Sequence, residues 1–395
     1  MKKLLLFVLY IICIQVNSQI QVSTLTSTFK GSGGVTIDNN GIVYIGDFGD
    51  FLSGPDTDGI PNNVMQLDTD LNLSILANDF TGASGNEFDS NGVLYQADIR
   101  DNAVYSIVGG SRVLFSSTGL VLPVGIAFDS NDNLFVCNCG NNTIRKITPG
   151  GVSTLFSSGS GLLGCPNGMT IDEDDNLYIV NFSNPFIVKI EPDGTVTNIG
   201  STTAGNGHID YDQNTKNLYI ASFGGNQLFY LNIETLNSGL MAGTGVAGNL
   251  DGPALSATFS APNGIAVSKT GDSIYVNSSA TLNNSNLNPQ YVRLLSNVLS
   301  VLSTDDYEIP ISKVKAYPNP AADILTLESN ALSSMENLSV TLLDMKGRVV
   351  KKVKELEISG QKLINIDVSK LTAGIYFYSI NENVNSLHTG KFIKN

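Results

Sequence analysis

The chain has no tryptophan, only two histidines and four cysteines in 395 residues. With His208 and His388 the only imidazoles and no CxxC pair among the cysteines, the sequence argues against a structural zinc site, which needs four closely spaced nitrogen or sulfur ligands. Basic residues are scarce in the body of the chain. Residues 19–310 carry 9 Lys and Arg against 28 Asp and Glu, a net charge of −19, whereas residues 311–395 carry 11 against 8, a net of +3. A body without a basic stripe argues against nucleic acid as a partner, because phosphates are met by Lys and Arg. Beyond the N-terminus no segment reaches the roughly 20 apolar residues of a membrane-spanning helix. Helical periodicity is missing too, so the expected class is all-β.

At the N-terminus, Met1-Lys2-Lys3 precedes the apolar run LLLFVLYIICI and then Val16-Asn17-Ser18. A short basic region, a short apolar core and a small residue at a cleavage point read as a signal peptide over residues 1–18. Tyr10-Ile11-Ile12, ahead of Cys13, lack the small side chains of a lipobox. Export makes a disulfide admissible. The remaining cysteines are Cys137, Cys139 and Cys165, an odd number that leaves one thiol over.

What the chain has in quantity is internal repetition. Six segments share the template G-x-x-φ-D-x-x-x-x-φ-Y-φ-x-[DNS], where φ is apolar: GGVTIDNNGIVYIGD, SGNEFDSNGVLYQAD, VGIAFDSNDNLFVCN, NGMTIDEDDNLYIVN, GHIDYDQNTKNLYIAS and NGIAVSKTGDSIYVNS. Their aromatic anchors are Tyr44, Tyr95, Phe135, Tyr178, Tyr219 and Tyr275, spaced by 51, 40, 43, 41 and 56 residues. A period near 40–45 with two insertions predicts a six-bladed β-propeller of four-stranded blades over residues 19–304. In each unit a short strand ends at Asp38, Asp89, Asp129, Asp172, Asp212 or Ser268, and a polar turn leads into the aromatic strand. Three residues past each anchor stands Asp47, Asp98, Asn138, Asn181, Ser222 or Ser278, read as structural side chains that bond backbone and fix a turn. Ring closure has two candidates: the N-terminal QVSTLTSTF (residues 21–29), which copies the fourth-strand phrase VSTLFSS, and NVLSVLS at 297–303. The N-terminal strand is favoured.

The segments DGPALSATFSAPNGIAVSKTGDSIYV, CPNGMTIDEDDNLYIV and VGIAFDSNDNLFV resemble NHL-type repeats, and the PNGIA phrase is similar to the SMP-30/gluconolactonase-like propellers. The resemblance covers about residues 30–295 and implies the fold. Related propellers include lactonases, lyases and plain binding scaffolds, so it leaves function open.

After a linker at 305–312, residues 313–395 read as a small Ig-like β-sandwich of alternating strands. VKAYPNPAADILTLES, SVTLLDMKGRVV, INIDVSKLTAGIYFYSI and GKFIKN carry a PNP turn, an LxDxxGR phrase, LxxGxYxxxI and a closing KFIK. Together these resemble the type A sorting domain of the type IX secretion system. That resemblance implies the type IX machinery of a Bacteroidota-type cell as a partner and delivery to the outer surface or medium. It puts the sorting signal on Pro318, Asn319, Pro320, Gly347, Arg348, Gly374 and Lys391, with Lys346, Arg348 and Lys391 on a recognition surface or an ordinary solvated face.

Candidate chemistry stands where one blade departs from the others. Two residues before the turn Asp stand Thr36, Glu87, Ala127, Thr170, Asp210 and Ala266. The two carboxylates fall in blades two and five, which lie opposite one another in a six-fold ring. Buried carboxylates need a cation, a cationic ligand, or neighbouring N–H groups and water. In the lactonase-like relatives the Asn of the PNG phrase is a metal ligand, and the resemblance therefore implies Asn167 and Asn263 beside Glu87 and Asp210 as oxygen ligands for Ca²⁺. The family's Glu at the first blade is missing here, where Gly33-Gly34-Val35 stands. His208 replaces the recurring glycine of blade five, and a histidine two residues from Asp210 is a candidate general base or a satisfied structural residue. The lyases among the relatives use several histidines. Asp56 and Asp58, with Gly59, form a DxDG loop that is a second candidate calcium site or a plain acidic loop. Cys139 and Cys165 fall on loops of one propeller face and make a sensible disulfide, with Cys137 the rival partner. Two readings stand: an exported propeller binding a glycan, peptide or small ligand, and a Ca²⁺-dependent lactonase or esterase.

Overall fold

The computed structural model describes residues 19–52, 61–203, 205–282, 286–298, 314–328, 338–344, 348–354, 363–382 and 385–395. The chain divides into two compact units, Met1–Ser303 and Thr304–Asn395.

The first unit is a β-propeller of six antiparallel sheets. Their inner strands are Val35–Ile37, Ala83–Phe88, Pro123–Phe128, Pro166–Ile171, Asn206–Asp212 and Ile265–Val267. These strands touch in chain order and the sixth returns to the first, closing the ring. In every blade the aromatic anchor sits directly across from the position two before the turn residue: Thr36 pairs with Tyr44, Glu87 with Tyr95, Ala127 with Phe135, Thr170 with Tyr178, Asp210 with Tyr219 and Ala266 with Tyr275. The repeated sequence template is thus a repeated register.

The repeated pattern of each unit has a hydrogen-bonding cause. The turn carboxylate accepts from the backbone two and four residues on: Asp38 from Asn40 and Ile42, Asp89 from Asn91 and Val93, Asp129 from Asn131 and Asn133, and Asp172 from Asp174 and Asn176, all within 2.8–3.0 Å. This is an Asx turn, and it fixes the hairpin. The polar residue after the anchor ties down the loop that enters its own blade. Asp98 accepts from Thr81 N at 2.8 Å, Asn138 from Val121 N at 3.2 Å, Asn181 from Gly164 N at 2.8 Å and Ser278 from Ser260 N at 3.0 Å. Asp98 also accepts from Arg100 N and Asp101 N, capping the following turn.

Blade six is built from both ends of the unit. Gln21–Thr24 pairs with Gln290–Ser296 on one side and with Gly252–Pro253 on the other. The N-terminal strand therefore closes the ring; residues 299–303 of the competing segment lie outside the described residues. Polar contacts hold the seam. Asp251 accepts from Thr24 N at 3.0 Å, Thr24 Oγ1 at 2.9 Å and the fully buried Arg293 at 2.7 Å. Asn277 Nδ2 donates to Gly31 O and Gly33 O at 2.6 and 2.8 Å.

The second unit holds a three-stranded sheet (Lys315–Tyr317, Ile324–Glu328, Leu363–Asp367) and a four-stranded sheet (Leu338–Asp344, Val349–Lys354, Gly374–Glu382, Asn385–Lys394). Leu325, Leu327, Val340, Leu342, Ile364, Tyr378 and Phe392 form its core. The motifs recognised in sequence meet here. Asn319 Oδ1 accepts from Ile393 N at 2.9 Å and Ala321 N donates to Ile393 O at 2.7 Å, so the PNP turn is bonded to the final strand. Arg348 donates to Asp344 from its backbone at 3.0 Å and from Nε at 2.8 Å within the LxDxxGR phrase. Lys391 is exposed. Gly347 and Lys346 lie outside the described residues, as do residues 1–18 and the DxDG loop with Asp56 and Asp58.

Candidate functional site: a cavity at one end of the propeller channel

The inner strands converge so tightly that side chains are excluded near the axis. A Cβ added at Gly34 would come within 2.9 Å of Gly85 Cα, one at Gly85 within 2.4 Å of Val124 O, one at Gly125 within 2.5 Å of Asn167 O, and one at Gly168 within 2.6 Å of His208 Cα. Each of these contacts is to the next blade's backbone, which explains the recurring glycine. Blade five alone breaks the ring with His208. Its imidazole extends toward blade one, where an added Cβ at Gly34 would lie 3.2 Å from its Cε1.

Above this ring lies a cavity of about 180 Å³. Its outer wall is one register position repeated: the residue four past the aromatic anchor, which is Phe48, Ile99, Cys139, Phe182 and Phe223 in blades one to five. Its floor is a second position, the residue before the recurring glycine, contributing Ser84, Val124, Asn167 and Asn263. His208 joins the floor, and Leu52, Leu122, Leu287 and Cys165 complete the lining. Cys139 and Cys165 form a disulfide in this wall, while Cys137 is a buried free thiol whose ionisation burial strongly opposes.

Among the described residues no Lys, Arg, Asp or Glu lines the cavity, and His208, 7% exposed, has its pKa lowered to about 4 by burial alone, so it is a neutral imidazole at physiological pH. Its ring makes no hydrogen bond among the described residues; its backbone N–H donates to Asn263 O at 2.8 Å. The ring nitrogens are not among the fully enclosed unpartnered atoms, so they are open to the space of the cavity.

Glu87 and Asp210 lie elsewhere. Glu87 borders a separate polar groove with Asp38, Asn39, Asn40 and Asp89 at the Asx-turn end of blades one and two. Glu87 accepts from Phe88 N at 2.8 Å and, more distantly, from Thr36 Oγ1 at 3.5 Å. Asp210 repeats this pattern, accepting from Tyr211 N at 2.8 Å and Thr170 Oγ1 at 3.4 Å, and adds Val267 N of blade six at 2.8 Å. Neighbouring N–H groups thus serve both carboxylates. Burial, reinforced by the Asp210 charge, pushes Glu87 up to about 8. Burial pushes Asp210 up to about 6 against the pull of its backbone donors.

The four candidate ligands therefore do not gather at the cavity. Asn167 and Asn263 line the cavity, and neither Glu87 nor Asp210 does. Two amide oxygens without a carboxylate do not fit a Ca²⁺ ion, whose sites combine six to eight oxygens and usually several carboxylates. Among the described residues no three His, Cys, Asp or Glu side chains gather to hold a metal. The carboxylate of Asp210 is engaged by Tyr211, Val267 and Thr170, so His208 has no carboxylate to orient it as a base. Sequence reasoning found the floor through Asn167, His208 and Asn263 but missed the phenylalanine wall. Counting four residues past each anchor, instead of three, would have found it.

Comparison with known proteins bears on both units. Residues 315–395 match the secretion system C-terminal sorting domain, and residues 120–147 match the NHL repeat. No curated protein matches the chain in sequence. Among solved structures, a Bacteroides thetaiotaomicron protein of unknown function aligns over 70% of this chain and 76% of its own, with 17% identity and a TM-score of 0.56. An auxiliary nutrient binding protein from Bacteroides ovatus aligns over the same shares with 14% identity and a TM-score of 0.54. A second auxiliary nutrient binding protein, from Bacteroides thetaiotaomicron, aligns likewise with 12% identity and a TM-score of 0.54. These likenesses establish the fold. Among the described residues no helix is long and apolar enough to cross a membrane. The sorting domain marks the chain for the type IX machinery and for delivery to the cell surface or medium. The chain is a β-propeller bearing an NHL repeat, followed by a secretion system C-terminal sorting domain.

Proposed function

We propose that the propeller is an exported ligand-binding module that takes a small molecule into the cavity walled by Phe48, Phe182 and Phe223. The observation that carries this reading is the ring of His208, 7% exposed and without a hydrogen-bond partner among the described residues, on a floor that also bears Ser84, Asn167 and Asn263 beneath a wall of phenylalanine and aliphatic side chains. A bound molecule would supply the missing hydrogen bond and cover the surrounding aromatic surface. Concave, mostly apolar sites with a few convergent polar groups are the usual form of small-molecule pockets. Two proteins of this fold are described as auxiliary nutrient binding proteins, a use that such a cavity would serve. In this reading residues 1–18 direct the first translocation step and the sorting domain the second.

The test is a ligand-detected NMR screen of small neutral fragments against the full chain and a Val124→Phe variant that fills the cavity. Binders of the parent that are displaced by one another and lost in the variant support the proposal. Absence of binders, or binding that survives the filled cavity, contradicts it.

A further inference from the structure

We infer, building on the ligand-binding reading above, that the cavity selects a molecule with a phenyl-sized apolar part and a non-anionic hydrogen-bond donor as its head group.

The polar floor is one-sided. Asn167 Nδ2 donates to Asn206 O and Gly207 O at 2.9 and 3.1 Å, and Asn263 Nδ2 donates to Ser32 O at 2.6 Å. A backbone carbonyl only accepts, so the amide nitrogens must face these oxygens and the orientation of both side chains is fixed. Each Oδ1 then accepts nothing among the described residues. Ser84 Oγ spends its hydrogen on Ala97 O and Pro123 O at 3.2 and 3.0 Å and retains its lone pairs. The neutral His208 ring adds one acceptor and one donor. Acceptors therefore dominate the floor, and a ligand that donates fits it.

An anionic head group fails on two counts. It would face these acceptors, and among the described residues no Lys or Arg lines the cavity to offset the loss of its hydration. The net charge of −19 on residues 19–310 also disfavours the approach of anions. Size follows from the volume. An apolar cavity of about 150 Å³ holds benzene, and the space here is about 180 Å³. Phe182 and Phe223, with ring centroids 6.0 Å apart, offer adjoining aromatic surface to such a group.

The test titrates the full chain with benzyl alcohol, toluene and benzoate, read by ligand-observed NMR. Benzyl alcohol is expected to bind about fivefold tighter than toluene and at least about tenfold tighter than benzoate. His208→Leu and Asn263→Leu should each reduce the advantage of the alcohol over toluene, while retained toluene binding shows that the cavity is intact. Benzoate binding as well as the alcohol, or toluene matching it in the parent, overturns the inference. If other small molecules bind and none of these probes does, the inference fails and the ligand-binding reading stands. If no small molecule binds at all, the ligand-binding reading fails as well.

Discussion

His208 of blade five reaches toward Gly34 of blade one, where an added Cβ would lie 3.2 Å from the imidazole Cε1. The relationship couples two departures from the repeat: one blade gives up its glycine, and the histidine that replaces it extends over the convergence of the inner strands. That exchange adds an imidazole to a floor that already carries Ser84, Asn167 and Asn263.

The glycine ring makes a stability prediction with a built-in control. Gly168→Ala places a methyl 2.6 Å from His208 Cα and 2.8 Å from Ile209 N, backbone that cannot step aside. It should destabilise by about 1–3 kcal/mol. Gly150→Ala meets only Thr148 Oγ1 at 3.9 Å and should be neutral or stabilising by up to about 1 kcal/mol. Urea unfolding of the two variants checks the contrast, and equal effects would contradict the packing described.

Glu87 and Asp210 predict how stability depends on pH. Their pKa values rise on folding, so the native state binds more protons than the unfolded chain and stability falls as pH increases, from the ordinary carboxylate range to about 6 for Asp210 and about 8 for Glu87. His208 acts in the opposite direction. Its value falls to about 4 on folding, so its contribution to stability rises with pH between about 4 and 6.5. Of these three groups, only Glu87 still titrates between pH 6.5 and 8. There stability should decline by about 1 kcal/mol per pH unit, and Glu87→Gln should flatten the decline. Urea midpoints across this range measure it.

The disulfide links residues 26 apart in sequence. Reducing it should cost about 3 kcal/mol and loosen the wall of the cavity. Cys137 is fully buried with its thiolate disfavoured, so it should resist maleimide in the native protein and react on unfolding. Peptide mass analysis of labelled protein checks both statements.

At the seam of the ring, Arg293 is fully buried and donates to Thr258 O, Leu250 O and Asp251. Arg293→Met removes a charge with three acceptors and should cost about 2–4 kcal/mol. Asp251→Ala leaves the buried guanidinium without its carboxylate and also frees Thr24, so it should cost a comparable amount, and exchange of the amides of Gln21–Thr24 should accelerate. Hydrogen exchange of that strand is the readout.

Much of this architecture was legible in the residues. The anchors from Tyr44 to Tyr275 marked each blade because one register recurs six times, and the Asp residues marked the hairpins because an Asx turn needs that side chain at that place. The echo of VSTLFSS in the N-terminal strand anticipated ring closure. Glu87 and Asp210 stood out as exceptions, but their partners did not, because the N–H groups of Phe88, Tyr211 and Val267 belong to any sequence. The cavity wall was hidden for a related reason. Phe48, Phe182 and Phe223 are ordinary core-forming residues in sequence, and only the convergence of the blades leaves them facing a space.

The NMR signal of the His208 ring, with His388 the only other histidine in the chain, reads the cavity floor directly. The His208 resonances should stay constant from pH 5.5 to 8, as befits a pKa lowered to about 4, and shift on addition of benzyl alcohol. A ring that titrates near the ordinary histidine value and ignores the ligand would contradict both the buried, neutral floor and the binding site built upon it.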